Sequence, residues 1–98
     1  MEHVISLDEA IAMTKAYRSA VPAGMPFAET FNIESLNALL AQPGCTAFRI
    51  YYGMKPDGTV HAILVGVDGK GEDMTEGLIL EEGIRCPPYC PSNSSLNK

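Results

Sequence analysis

The sequence predicts an α+β fold in which two amphipathic helices pack on a small, mainly antiparallel sheet centred on a β-hairpin. Two observations lead to this prediction. Residues 45–54 and 59–68 are rich in β-branched and aromatic residues, and they flank Lys55-Pro56-Asp57-Gly58, which is typical of a tight turn. Before this hairpin, residues 7–21 and 33–42 repeat apolar residues at helical spacing.

The first helix is predicted to begin at Leu7. Ser6 and Glu9 form a capping-box pattern, and acidic residues in the first turn suit the positive end of the helix dipole. Pro22 ends the helix because it has no amide hydrogen to donate. One broad face of this helix carries Leu7, Ala10, Ile11, Met13, Thr14, Tyr17 and Val21.

The elements around the hairpin are shorter. Residues 27–31 alternate in polarity and predict a short edge strand that would extend the sheet of the hairpin, with a loop as the alternative. Asn32 is a good N-cap for the second helix over residues 33–42. Residues 78–80 predict a third antiparallel strand. We expect residues 1–85 to form a single α+β domain, and residues 86–98 to form a Cys-Pro-Pro-Tyr-Cys segment and a polar, disordered tail.

The turn also predicts the register of the hairpin. If Gly58 adopts the left-handed conformation, Lys55 pairs with Thr59 and Ile50 faces Leu64. The side with Ile50 is expected to lie under the helices, with Phe48 facing Gly66 and Tyr52 facing Ala62. The opposite side, here called the outer face, is more apolar than a solvated sheet face and needs a cover: a helix, the C-terminal segment or a second copy of the chain. The outer face carries Ala47, Arg49, Tyr51, His61, Ile63, Val65 and Val67.

Composition restricts the function classes. The 98 residues carry a net charge of −5 and no cluster of Lys or Arg, which argues against a nucleic-acid partner. The sequence has no apolar run of the roughly 18–20 residues that span a bilayer and no signal-peptide pattern after Met1, so we expect a cytoplasmic protein without a membrane partner. The odd number of cysteines fits a reducing compartment. No feature indicates a cofactor, and a small-molecule ligand is unknown.

The most distinctive motif is Cys86-Pro87-Pro88-Tyr89-Cys90, in which two prolines fix two backbone φ angles. The two thiols could pack as structural thiols, form a disulfide, or bind zinc together with Cys45 and either His3 or His61. The C-x3-C spacing differs from the commoner C-x2-C spacing of zinc sites. The sequence therefore leaves the three alternatives open.

Arg49, Tyr51 and His61 share the outer face and could bind an anion or support proton transfer. The simpler interpretation places them at an interface, since interfaces are enriched in Tyr and Arg. No nucleophile motif or phosphate-binding loop accompanies them. We therefore expect a small non-enzymatic interaction module that self-associates as a homo-oligomer, with a thiol or metal-binding protein and a small enzyme as alternatives. The predicted interface comprises Arg49, Tyr51, His61, Ile63, Val65 and Val67.

Four segments of the chain, at residues 39–45, 49–53, 64–68 and 86–90, read LLAQPGC, RIYYG, LVGVD and CPPYC. Together they resemble a group of short uncharacterised bacterial proteins. The resemblance covers most of the chain. It favours the interpretation that Cys86 and Cys90 act as a pair, and it assigns neither an activity nor a functional residue.

Overall fold

The structure, a computed structural model, describes all 98 residues and contains two α-helices and five strands. The elements are α1 (Leu7–Ala20), β1 (Ala28–Thr30), α2 (Ile33–Leu40), β2 (Cys45–Met54), β3 (Val60–Asp68), β4 (Ile79–Leu80), β5 (Ile84–Cys86) and a 3-10 helix (Ser95–Asn97). The strands form two antiparallel sheets, one with the order β2-β3-β4 and the other with β1 beside β5. The predicted α+β class is confirmed.

The chain divides into two compact units. One consists of Met1–Ala28 and Arg85–Lys98, and the other consists of Glu29–Ile84. The predicted domain boundary between residues 85 and 86, and the predicted disorder of the tail, stay predictions.

In the first unit, α1 begins at Leu7 as predicted. The Glu9 amide donates to Ser6 Oγ at 3.0 Å, and the Ser6 amide donates to Glu9 Oε1 at 3.2 Å, so both halves of the capping box are formed. Near its other end, Tyr17 donates its hydroxyl hydrogen to the Pro26 carbonyl at 2.7 Å. This bond ties the helix to the loop that follows it.

In the second unit, the hairpin has the predicted register. Ile50 lies opposite Leu64, the Lys55 amide donates to the Thr59 carbonyl at 2.9 Å, and Gly58 adopts a φ of 89°. That φ lies in the left-handed region, which glycine enters without a steric penalty. β4 pairs with the opposite edge of β3, so β3 is the central strand and β2 is an edge strand.

Helix α2 lies against this sheet and supplies its most buried side chain, Leu39, which is 0% exposed. Just after the helix, the Gln42 carboxamide donates to the Leu39 carbonyl and accepts from the Leu78 amide, each at 2.8 Å. A Cβ at Gly77 would lie 2.1 Å from Gln42 Oε1. Glycine at position 77 therefore makes room for the carboxamide that fixes the loop before β4.

Two details differ from the sequence prediction. The strand at residues 28–30 pairs with β5 rather than extending the sheet of the hairpin. The side predicted to lie under the helices is also largely open on β2, where Phe48 and Ile50 are 41% and 47% exposed. The eight residues of α2 span about 12 Å, whereas the ten residues of β2 span about 33 Å, so this helix is too short to cover the strand.

Candidate functional site: an exposed edge strand and a buried charged cluster

A row of exposed apolar side chains runs along β2 of the second unit at alternate positions, and it is here called the β2 stripe. It consists of Phe48, Ile50, Tyr52 and Met54. Tyr52 and Met54 are 80% and 72% exposed, and none of the four is buried. Because side chains alternate between faces along a strand, all four lie on one side of the sheet. Contiguous exposed apolar surface of this kind marks interaction sites.

The backbone of the β2 stripe lies at a free edge. The Lys55 backbone bonds to Thr59 across the hairpin. In an antiparallel pair, every second residue of a strand bonds to the same neighbouring strand. The backbone groups of the odd-numbered residues of regular β2 therefore bond to β3. The even-numbered residues direct their N–H and C=O groups away from β3. Ala62, which lies opposite Tyr52 on β3, shows the same pattern: its amide points away from β2 and donates to Glu29 Oε1 at 2.7 Å. No strand of the chain pairs with the outer edge of β2.

The other side of β2 carries a polar network around Asp73. The Arg49 guanidinium donates to Asp73 Oδ1 at 2.5 Å, and the Tyr51 hydroxyl donates to Asp73 Oδ2. The Tyr51 hydrogen bond and the nearby Arg49 charge lower the pKa of Asp73 below its ordinary value, and the bond to Asp73 raises the pKa of Arg49. The network holds the loop between β3 and β4 against the strand. Arg49 and Tyr51 thus already have a partner within the chain.

The remaining residues of the predicted interface are more enclosed. Val65, Val67 and His61 are buried in the single chain, and Ile63 is half-buried with its side chain against Gly53. The central strand of the sheet is therefore covered on both sides by the chain itself, while the edge strand is not. Arg49 and Tyr51 are the exposed members of the predicted interface.

His61 belongs to a second cluster, which joins three distant parts of the second unit. Its Nδ1 lies 3.4 Å from Glu81 Oε1 and 3.8 Å from Glu29 Oε2, and its Nε2 lies 3.2 Å from Thr59 Oγ1. The Glu29 side chain is 7% exposed. His61 Nδ1, Glu29 Oε2 and Glu81 Oε1 are buried without a hydrogen-bond partner. No hydrogen bond or ion pair joins His61 to Arg49 or Tyr51, so the structure does not assemble the predicted trio of cation, phenol and imidazole.

Lys55 closes the cluster on the solvent side. Its Nζ lies 3.0 Å from Glu82 Oε1 and 3.7 Å from Glu81 Oε2, and the bond to Glu82 raises the pKa of Lys55. The Glu82 backbone amide and the Lys55 charge lower the pKa of Glu81. Glu82 adopts a φ of 67°, which is uncommon for a residue with a side chain. Sequence reasoning missed Glu29 and Glu81, since no fixed spacing links either residue to His61.

The cysteines do not converge on a metal. Cys86 and Cys90 form a disulfide with their Cα atoms 4.7 Å apart, and Cys45 is a free thiol whose Sγ lies 3.2 Å from the Ala47 carbonyl. The structure contains no group of three or more His, Cys, Asp or Glu residues that could hold a metal ion. Cys45, Cys86, Cys90 and His61 are therefore not gathered into the zinc site that the sequence left open.

A pocket of about 130 Å³ lies beside α2 and β4, lined in part by Phe31, Ser35, Leu80 and Glu81. Pockets that hold drug-sized ligands usually measure about 300–1,000 Å³, so this one is small for such a ligand.

Comparison with protein-family models, with curated proteins and with solved structures finds no match for the chain. Among its helices, none combines the length and the apolar character needed to cross a bilayer.

Proposed function

We propose that this chain is a small non-enzymatic interaction module that self-associates through the hairpin, with the contact centred on β2. The observation that supports this proposal is the β2 stripe, a row of large apolar side chains on a strand whose outer edge has no partner. Val65 and Val67 of the outer face are buried within the single chain, so we place the contact on the β2 stripe, on the opposite side of the sheet, and not on the outer face.

The charges on β2 favour a second copy as the partner. Arg49 is the only charged residue between Cys45 and Met54, and its guanidinium is already paired with Asp73. Two copies can therefore approach along this strand with little like-charge repulsion, although each chain carries a net charge of −5.

Light scattering coupled to size exclusion tests the proposal at protein concentrations from about 10 μM to 1 mM, the range in which weak complexes form. The wild-type chain is expected to show a mass that rises to that of a dimer. Tyr52→Lys places a charge in the middle of the β2 stripe and is expected to give a monomer.

Tyr89→Lys is the matched control, because Tyr89 is similarly exposed at 74% but lies outside β2. It is expected to associate like the wild type. A wild-type chain that stays monomeric at the highest concentration would contradict the proposed function. Equal weakening by both substitutions would show that overall charge, and not β2, controls association.

A second candidate function, a thiol protein, is favoured by the disulfide between Cys86 and Cys90. Cys86 is buried, whereas Cys90 is exposed and therefore open to attack by a reducing thiol. Thiol titration of denatured protein prepared without reductant is expected to find the single thiol of Cys45. Three titrating thiols would contradict this candidate, and zinc found by elemental analysis would favour a metal-binding protein instead.

A further inference from the structure

We propose that two copies of the chain pair through the free edges of β2, antiparallel and around a two-fold axis at Ile50. The two sheets then join into one sheet of six strands. This inference rests on the proposed self-association and specifies its geometry: a backbone contact, edge to edge, with one register.

The hydrogen-bonding pattern of the hairpin limits the registers that are available. Along regular β2 the even-numbered residues direct their backbone groups outward, as the Lys55–Thr59 and Ala62–Glu29 bonds show. An antiparallel pair between two such edges bonds even-numbered residues to even-numbered residues. A two-fold axis then lies midway between the two copies of one β2 residue, which face each other. If the pairing is centred on the strand, that residue is Arg49, Ile50 or Tyr51.

Side-chain chemistry selects Ile50 among these three positions. An axis at Arg49 places Phe48 opposite Ile50 and Tyr52 opposite Thr46, so neither exposed aromatic ring of the β2 stripe meets another aromatic ring. An axis at Tyr51 places Arg49 opposite Gly53, which offers no side chain to contact. An axis at Ile50 places Phe48 of one copy opposite Tyr52 of the other, and Arg49 of one copy opposite Tyr51 of the other.

Both contacts made by the Ile50 register are favourable. Phe48 and Tyr52 are exposed on the same side of the sheet, so the two β2 stripes become one continuous apolar band with aromatic pairs at its centre. On the other side, Arg49 of one copy lies opposite Tyr51 of the other, so no like charges face each other directly. The register thus satisfies both sides of the sheet at once.

The edge also lacks the features that normally prevent strand pairing. Edge strands are commonly blocked by proline, by lysine or by a bulge. Residues 45–54 contain no proline and no lysine, and their one charged side chain, Arg49, is paired with Asp73. The one irregularity of β2 lies at its start, between Cys45 and Ala47. Residues 47–54 therefore present a regular, unblocked edge.

Cysteine cross-linking tests the register. The variants are made in a Cys45→Ser background of the full chain, which removes the one free thiol. Ile50→Cys is expected to form a cross-linked dimer under mild oxidation, because opposite residues of a bonded antiparallel pair have Cα atoms about 5.5 Å apart, within disulfide range. A mixture of Phe48→Cys and Tyr52→Cys chains is expected to cross-link as well.

The same two variants provide the control when each is oxidised alone. In the Ile50 register the two Phe48 positions lie four residues apart along the strand, about 14 Å, which is too far for a disulfide. Cross-linking of Phe48→Cys alone, or a dimer seen by light scattering in which neither Ile50→Cys nor the mixture cross-links, would overturn the register and leave the proposed self-association standing. A chain that is monomeric and does not cross-link at any of these positions would overturn both.

Discussion

Replacing Glu29 tests how a side chain can substitute for a missing strand. Glu29 Oε1 accepts the Ala62 amide at 2.7 Å at the edge of β3, just beyond the two residues of β4, and the Glu29 side chain is 7% exposed. A hydrogen bond to a charged group contributes about 1.5–3 kcal/mol, and a backbone amide left without a partner loses that contribution. We therefore expect Glu29→Ala to lower the free energy of unfolding by about 2–3 kcal/mol.

Glu29→Gln is the matched control, because its carbonyl oxygen can keep the bond to Ala62. It also removes one of the two carboxylates beside His61, so we expect a change of less than about 1 kcal/mol in either direction. Urea unfolding followed by circular dichroism measures both variants. With a slope of about 1 kcal/mol per molar urea, the midpoint of Glu29→Ala should fall by about 2–3 M. A Glu29→Ala midpoint equal to that of the wild type, or equal losses in both variants, would refute the reasoning.

Three further predictions concern the same unit. Leu39→Ala removes the fully buried side chain of α2 and should destabilise the chain by about 2–5 kcal/mol in urea unfolding, whereas a loss below about 1 kcal/mol would show that Leu39 is not central to the core. Gly83→Ala places a Cβ 2.6 Å from Glu29 Oε2 and 2.8 Å from Phe31 Cζ, so the melting temperature should fall, and an unchanged melting temperature would contradict this crowding. Asp73 has a lowered pKa in the folded state, so the stability it contributes is present above its ordinary pKa of about 3.8 and is lost as the pH falls through the lowered value. Asp73→Asn should therefore be less stable than the wild type at pH 7, and the difference should shrink in acid; a difference that grows in acid would contradict the assignment.

The local elements follow from the sequence because their signals are local. Ser6 and Glu9 are three residues apart and set the start of α1, while the turn at Pro56 to Gly58 sets the register of the hairpin residue by residue. The pairing of β1 with β5 could not be found in this way. Residues 28–30 and 84–86 are far apart in sequence, and Pro87 and Pro88 directly after β5 suggest a loop rather than a strand.

The candidate site was predicted less completely. Periodicity identified which side chains share a face of β2 but not which face the rest of the chain covers, since coverage depends on the length and placement of α2. Likewise, counting along the strands places Arg49, Tyr51 and His61 on one face. In the structure, however, Arg49 and Tyr51 donate to Asp73, whereas Glu29 and Glu81 lie beside His61. Those acidic partners come from loops and short strands, where no periodic pattern assigns positions.

The shortness of β4 limits how far the proposed pairing of chains through β2 can continue. Two chains joined at β2 present β4 at both ends of the combined sheet, and β4 offers just Ile79 and Leu80. A template of two residues is a poor start for adding another strand, so the pairing closes after a single step. An open edge of ten residues on each side would instead permit repeated strand addition and fibril growth, which the two-residue β4 prevents.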